Sequence, residues 1–182
     1  VNRRAVSLVR EIADRFVRSG TPIVTSGCVG PRGDGYQADS LMTAAEAEHY
    51  HSHQVRSLAA GGAELITAIT MLYPDEAIGI VEAARSAGLA AVISFTVETD
   101  GALPTGQPLG EAIAAVDDAT GSYPAYYMVN CAHPTHFGPA LDAGADWTAR
   151  LGSVRANASK MSHAVLDAAD ELDAGNPEEL AG

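Results

Sequence analysis

The sequence has few basic residues, few cysteines and no long apolar run. Its 182 residues include 11 lysines and arginines against 23 aspartates and glutamates, which gives a formal net charge of −12 at pH 7. Because this charge repels phosphate backbones and anionic lipid, and no run of basic residues offsets it, we expect no nucleic-acid and no membrane partner. No apolar stretch reaches the ~20 residues that a membrane-spanning helix needs.

Cysteine is also scarce. Only Cys28 and Cys131 occur, and they lie far apart in the chain. The N-terminal segment VNRRAVSLVREIADRF is amphipathic and does not have the pattern of a secretory signal. Reduced thiols are therefore expected rather than a disulfide, and the sequence predicts a cytoplasmic location. A hydrophobic content of 47% predicts a globular rather than a disordered chain.

The motifs of several enzyme classes are missing. The segment GCVGPRGDG lacks both the GK[ST] ending of a phosphate loop and the GxGxxG spacing of a dinucleotide site. No GxSxG elbow of a serine hydrolase occurs. In HYHSH, the histidines His49, His51 and His53 lack the glutamate of the HExxH zinc motif, so we interpret them as exposed residues of a helix surface.

What the chain does contain is an alternation of helical and strand patterns. The predicted strands are 21–26, 63–72, 89–98, 125–130 and a short one around Val154; the predicted helices are 3–18, 42–62, 75–87 and 109–119. Thr43 and Glu46 form the capping-box pattern at the start of the second helix. Strand–helix units with short connections are typical of parallel α/β folds, and we expect one domain over residues 1–182.

Five strands are too few for a complete (β/α)8 barrel, which needs eight strands and typically about 250 residues. The pattern therefore predicts either an open sheet or part of a TIM barrel. Because the sequence begins within a helical pattern, we favour a partial barrel of about five of the eight strands.

In folds of this kind ligands bind at the carboxyl ends of the strands. This rule selects six positions as candidates: Cys28, Thr70, Glu98, Asn130, Cys131 and Asn157. Cys131 ends the apolar run of YYMVNCAHPTHF, and three roles stay open for its thiol: metal ligand, nucleophile or small buried residue.

The remaining chemistry-bearing residues carry weaker signals. Cys-x-His-x-x-His matches no standard zinc spacing, so His133 and His136 are interpreted as solvated loop residues. The same interpretation applies to four carboxylates, in which nothing specifies a glycosidase pair: Glu98, Asp100, Asp117 and Asp118. Cys28 is placed in a glycine-rich loop with Arg32 and Asp34, where the glycines allow tight turns close to a ligand.

Several stretches together resemble the homocysteine S-methyltransferase family. They are, in chain order, SGCVGPRGDGY, AELITAITM, SFTVETDGALPTGQPLGEAI and MVNCAHPTH followed by RANAS. The most specific are the strand-ending Asn-Cys and the LPTGQPL loop, which is similar to the family's L-S-D-G-T-P-L. The resemblance implies a zinc-dependent barrel that moves a methyl group from a small-molecule donor to homocysteine or a related thiol, in methionine biosynthesis.

The resemblance also assigns roles to particular residues. Cys131 stands where the family has the first of three zinc thiolates, and Asn157 matches the asparagine of the family's P-N-S-G strand end. We expect Asn130, Asn157, Thr70 and Glu98 to bind substrate. Zinc held by three thiolates lowers the pKa of the incoming thiol, so that a thiolate nucleophile exists at neutral pH.

The sequence departs from the family at two points. The other two zinc thiolates belong to a G-G-C-C motif that does not occur in these 182 residues, and Ile69 stands where many members have a glutamate for the substrate's amino group. We therefore expect a partial barrel that is inactive by itself, with open sheet edges that pair in a homo-oligomer. The alternatives are a non-catalytic binding or assembly module derived from this fold, and a hydrolase- or aldolase-like barrel piece that uses Glu98 or Asp34.

Overall fold

The computed structural model describes residues 1–17, 21–142 and 144–181, with the side chains of Asp142 and Ala181 left aside. The strands are β1 (Ser26–Val29), β2 (Leu65–Met71), β3 (Ala90–Thr96), β4 (Tyr126–Asn130) and β5 (Leu151–Arg155). The helices are α1 (Asn2–Phe16), α2 (Ala44–Ala59), α3 (Pro74–Ser86), α4 (Leu109–Thr120), α5 (Pro134–Asp142), α6 (His163–Asp167) and α7 (Pro177–Ala181), and a 3-10 helix spans Asp146–Arg150.

All neighbouring strands are parallel, and their order in the sheet is β1-β2-β3-β4-β5. A doubly wound sheet reverses its strand order at a switch point, whereas a barrel adds each strand beside the previous one. The observed order is therefore that of a barrel segment. The predicted α/β class and the partial TIM-barrel architecture are confirmed.

The core lies between the sheet and the helices that follow its strands. Side chains such as Ile66, Ile93, Phe95 and Tyr127 are fully buried in it. Helices α2 and α3 pack closely at Gly79, where an added Cβ would lie 2.5 Å from the Cβ of Ala47. Because only a glycine allows this approach, α3 presses tightly against its neighbour.

The predicted strand at 21–26 is wrong. Strand β1 begins at Ser26 and pairs in register with β2 from Leu65 onward. Ahead of it, Pro22 has no N–H to offer a ladder, and the Thr25 N–H donates to the Glu64 carboxylate at 2.9 Å instead. Cys28 therefore lies within a strand, not in the glycine-rich loop where the sequence placed it.

Helix boundaries follow their local signals more closely. The capping box is confirmed: Thr43 Oγ1 accepts from the Glu46 N–H at 3.3 Å, and Glu46 Oε2 accepts from the Thr43 N–H at 2.9 Å. The predicted end of the first helix, at residues 18–20, falls outside the described residues. Within the described ranges, no helix is long and apolar enough to cross a membrane.

Asp118 is exposed, as the sequence suggested. Asp117, in contrast, is not a solvated carboxylate. Its two oxygens accept from Arg150 Nε at 2.8 Å and Nη2 at 2.9 Å, and the Tyr127 hydroxyl donates to Oδ1 at 2.8 Å. Burial, followed by the neighbouring Asp117 carboxylate, raises the pKa of Tyr127. Asp117 thus joins α4 to β4 and to the 3-10 helix.

Candidate functional site

Asn130 connects three strands at the carboxyl edge of the sheet. Its Oδ1 accepts from the Thr70 N–H at 2.9 Å and the Ser94 hydroxyl at 2.6 Å, and its Nδ2 donates to Thr70 Oγ1 at 2.9 Å. Thr70 lies at a break in the β2–β3 register and has a φ of 63°, which is unfavourable for a β-branched residue. The amide of Asn130, only 1% exposed, therefore holds a strained turn in place.

Cys131 follows directly and also has a left-handed backbone, with a φ of 56°. Its N–H donates to the Arg155 carbonyl at 3.0 Å, which ties it to β5. Its own carbonyl accepts from Asn157 Nδ2 at 3.2 Å and from His163 Nε2 at 2.6 Å. The backbone of Cys131 is thus fixed from several directions, while its thiol is free of any disulfide and only partly buried.

His163 joins Cys131 to a second group of side chains. Its Nδ1 lies 3.3 Å from Glu98 Oε1, and the Tyr36 ring lies 4.1 Å from its imidazole, centroid to centroid. Burial first, and then the hydrogen-bonding thiol of Cys131, raise the pKa of Tyr36 to about 12. A cavity of about 90 Å³ opens here, lined by Asp34, Tyr36, Gln37, Glu98, His163, Ala164 and Asp167.

The structure brings together five of the six candidate positions. Thr70 and Asn130 share one hydrogen-bond network, and Glu98, Cys131 and Asn157 are linked through His163 and the Cys131 carbonyl. Cys28 stands apart: it is exposed on β1, in register with Thr67, three residues before Thr70 on β2. Asp34 Oδ1 accepts from the Tyr36 and Gln37 N–H groups at 2.7 and 3.1 Å, so it shapes the loop after β1.

Sequence reasoning missed His163 and Tyr36. His163 begins the short helix α6 after an N-cap at Ser162, and it follows neither a strand nor a recognised motif. Tyr36 ends the quoted segment GCVGPRGDGY, but nothing in that pattern distinguishes it from an ordinary loop tyrosine. Both reach the site through contacts with residues far away in the chain, which a local pattern does not record.

The interpretation of His133 as a solvated residue is wrong. Its side chain is 2% exposed, and its Nδ1 lies 2.9 Å from Thr135 Oγ1 at the start of α5. Burial lowers the pKa of His133. His136 lies nearer the surface, with Nε2 3.1 Å from the Lys160 carbonyl.

One histidine of HYHSH is also misplaced by the sequence. His49 and His53 are exposed as expected. His51 instead is buried between α2 and α3, where its Nε2 lies 2.9 Å from Glu76 Oε1. The spacing already separates it from the other two, because residues i and i+4 share a face of a helix and residue i+2 does not.

The donor set does not fit a complete three-thiolate zinc site. Cys131 supplies the one thiol at this edge, and within residues 1–17, 21–142 and 144–181 no three histidine, cysteine or acidic side chains lie together in a way that could hold a metal ion. A metal at Cys131 would need further ligands beyond these.

Comparisons with solved structures identify the same architecture. Homocysteine methyltransferase MmuM from Escherichia coli in its apo form matches with a TM-score of 0.66 and 18% identity, over 85% of this chain and 66% of that chain. Its metallated form matches with a TM-score of 0.68 and 20% identity, over 85% of this chain and 64% of that chain. At these identities the likeness shows the fold alone, and this chain spans 64–66% of the length of these relatives.

The family comparison covers the chain more completely. No curated protein gives a significant match. The sequence profile described as homocysteine S-methyltransferase, however, matches residues 1–181. The chain belongs to the homocysteine S-methyltransferase family.

Proposed function

We propose that this chain forms the thiol-binding edge of an S-methyltransferase that moves a methyl group to homocysteine or a related small-molecule thiol. The observation that carries the proposal is Cys131, in a chain of this family, with its backbone fixed at a strand end and its thiol partly open. The proposal includes the role in methionine biosynthesis and the cytoplasmic location that the sequence predicts.

The site residues divide into two roles. Asn130 is buried and both polar atoms of its amide are hydrogen-bonded, so it acts as a positioning residue for Thr70. Asn157 acts as a positioning residue for Cys131 in the same way. Glu98 lines the cavity and its side chain is 33% exposed, so its carboxylate is available to the ammonium group of an amino-acid thiol. Glu98 would thereby serve in place of the glutamate that Ile69 replaces.

The proposed methyl transfer requires zinc. In such enzymes it lowers the pKa of the bound thiol when several thiolates hold it. Cys131 provides one ligand, so we propose that the 182-residue chain by itself binds zinc weakly and does not transfer methyl groups.

Calorimetric titration of the chain with homocysteine in the presence of Zn²⁺ tests the assignment of Cys131. We expect Cys131→Ser to abolish homocysteine binding and Cys28→Ser, which changes the thiol on β1, to leave it unchanged. Equal binding by Cys131→Ser and the unaltered chain would overturn the proposal. Tight stoichiometric zinc binding together with methyl transfer to homocysteine would overturn the claim of inactivity.

The role of Glu98 has a matched ligand control. Glu98→Gln removes the negative charge that attracts the ammonium group, and we expect homocysteine binding to weaken by roughly 10- to 100-fold, as a hydrogen bond to a charged group contributes about 1.5–3 kcal/mol. The desamino analogue 4-mercaptobutyrate should bind both proteins equally. A similar loss for both ligands would show that Glu98 does not recognise the amino group.

A non-catalytic assembly module is the second candidate. Strands β1 and β5 are the edges of the sheet, and most of β5 is exposed. Unpaired strand edges favour pairing with another chain. Size-exclusion chromatography with light scattering distinguishes the two: a defined homo-oligomer without Cys131-dependent thiol binding would favour the assembly module.

A further inference from the structure

Glu76 and His51 form a buried pair that the methyl-transfer site does not use. Both side chains are 1% exposed, and Glu76 Oε1 lies 2.9 Å from His51 Nε2. The remaining atoms, His51 Nδ1 and Glu76 Oε2, have no hydrogen-bond partner within the described part of the chain. A buried polar atom without a partner costs about 1–3 kcal/mol. Stability alone therefore does not explain the pair, because a protein with apolar residues in place of a buried ion pair is often equally stable or more stable.

The Glu76 carboxylate also holds the loop between β1 and α2. The Arg32 N–H donates to Oε1 at 2.7 Å, near the beginning of this loop. Near its end, the Met42 N–H donates to the Tyr73 hydroxyl at 2.9 Å. Burial raises the pKa of Tyr73, the Met42 N–H opposes this, and the nearby charge of Glu76 adds to the rise. The Arg32 end of this loop is thus attached to the Glu76 carboxylate, and the Met42 end to the Tyr73 hydroxyl.

The middle of the same loop reaches the carboxyl edge of the sheet. The Tyr36 ring lies against the His163 imidazole, tilted by 33°, and His163 Nε2 donates to the Cys131 carbonyl at 2.6 Å. Gly35 lies against Thr70, where an added Cβ would be 3.2 Å from Thr70 Cγ2. The position of Tyr36 against His163 therefore depends on where the loop is attached.

We propose that Glu76, itself held by His51, is a positioning residue that anchors the loop 30–42 so that Tyr36 lies against His163 beside Cys131. The inference deepens the proposed function, on which it rests only in treating Cys131 as the reactive group. Glu76 is buried and acts through the Arg32 backbone, without touching the thiol itself.

The test replaces the pair by apolar residues, His51→Leu with Glu76→Leu, and measures two properties of the folded protein. Hydrogen exchange of the Arg32 amide should accelerate at least tenfold, because its acceptor is gone. The ring protons of His163 should lose the ring-current shift that Tyr36 produces at 4.1 Å, and should approach their positions in Tyr36→Leu. We expect unfolding in urea to show no loss of stability.

Two further variants make the test specific. Glu76→Gln keeps an oxygen for the Arg32 N–H and should largely preserve both signals. Glu82→Ala, which removes a partly exposed carboxylate paired with Arg85 on the same helix, should change neither.

Wild-type exchange at Arg32 and an unchanged His163 signal in the double leucine variant would overturn the inference. Failure of that variant to fold would also overturn it, because the pair would then be structural. Neither measurement uses a thiol, a metal or a methyl donor, so the outcome is separable from the failure of the proposed function.

Discussion

Replacing Asn130 with alanine is expected to lower the free energy of unfolding by about 2–4 kcal/mol. The substitution removes the acceptor of two donors, the Thr70 N–H and the Ser94 hydroxyl, in a place where Asn130 is 1% exposed and Ser94 is fully buried. Each donor left without a partner costs about 1–3 kcal/mol. Thr70 additionally loses the bond that compensates for its positive φ.

Urea unfolding followed by the fluorescence of Trp147, the one tryptophan in the sequence, measures the loss. Asn157→Ala is the matched control, because that amide gives a single 3.2 Å bond to a carbonyl that keeps His163 as a partner. We expect the control to cost less than about 1 kcal/mol.

A double-mutant cycle identifies the cause. Ser94→Ala removes one of the two orphaned donors, so Asn130→Ala should cost about 1 kcal/mol less in that background than alone. If Asn130→Ala costs no more than Asn157→Ala, or if the cycle shows no coupling, the network does not stabilise the strand ends and the reasoning fails.

Three further predictions concern the scaffold, and urea unfolding measures each. Gly79→Ala should destabilise by about 1–3 kcal/mol, because its methyl group would overlap α2. Asp117→Ala should cost about 2 kcal/mol by leaving a buried tyrosine hydroxyl unpaired, whereas Asp118→Ala, at an exposed site, should change stability by under about 0.5 kcal/mol. Thr43→Ala should cost about 1 kcal/mol as a lost N-cap. Bonds from Thr43, first its backbone N–H and then its hydroxyl, hold the pKa of Glu46 below 4.5, so that contribution is present above this pH and lost as the pH falls through the lowered value. Because alanine keeps the backbone N–H, the variant should retain the larger part of this dependence.

The parallel βα order was predictable because its signals are local. An apolar run followed by a turn specifies a buried strand, and a capping box such as that at Thr43 specifies where a helix begins. The start of β1 was not predictable, because the sequence 21–26 is as apolar and as rich in β-branched residues as a strand. Pairing decided the outcome: the ladder begins at Ser26, where β2 supplies a partner in register.

The candidate site was predictable only at strand ends. The rule that parallel strands meet at one edge led to Thr70, Asn130 and Cys131, and the structure places them together. His163 and the pair of His51 with Glu76 depend on contacts between distant segments, at separations of 32 and 25 residues. Patterns among residues that are neighbours in sequence do not predict such contacts.

Backbone strain gives an independent reason to place the functional site at the carboxyl edge of the sheet. Among the described residues, three that are not glycine have a positive φ: Thr70, Ser122 and Cys131. Ser122 follows the left-handed glycine that ends α4, where such a turn is ordinary. Thr70 and Cys131 instead end two strands, each held by an asparagine side chain. Such conformations cost about 1–3 kcal/mol each and persist only where the surroundings determine them, so two of them at one edge are better explained by placement of the thiol than by stability.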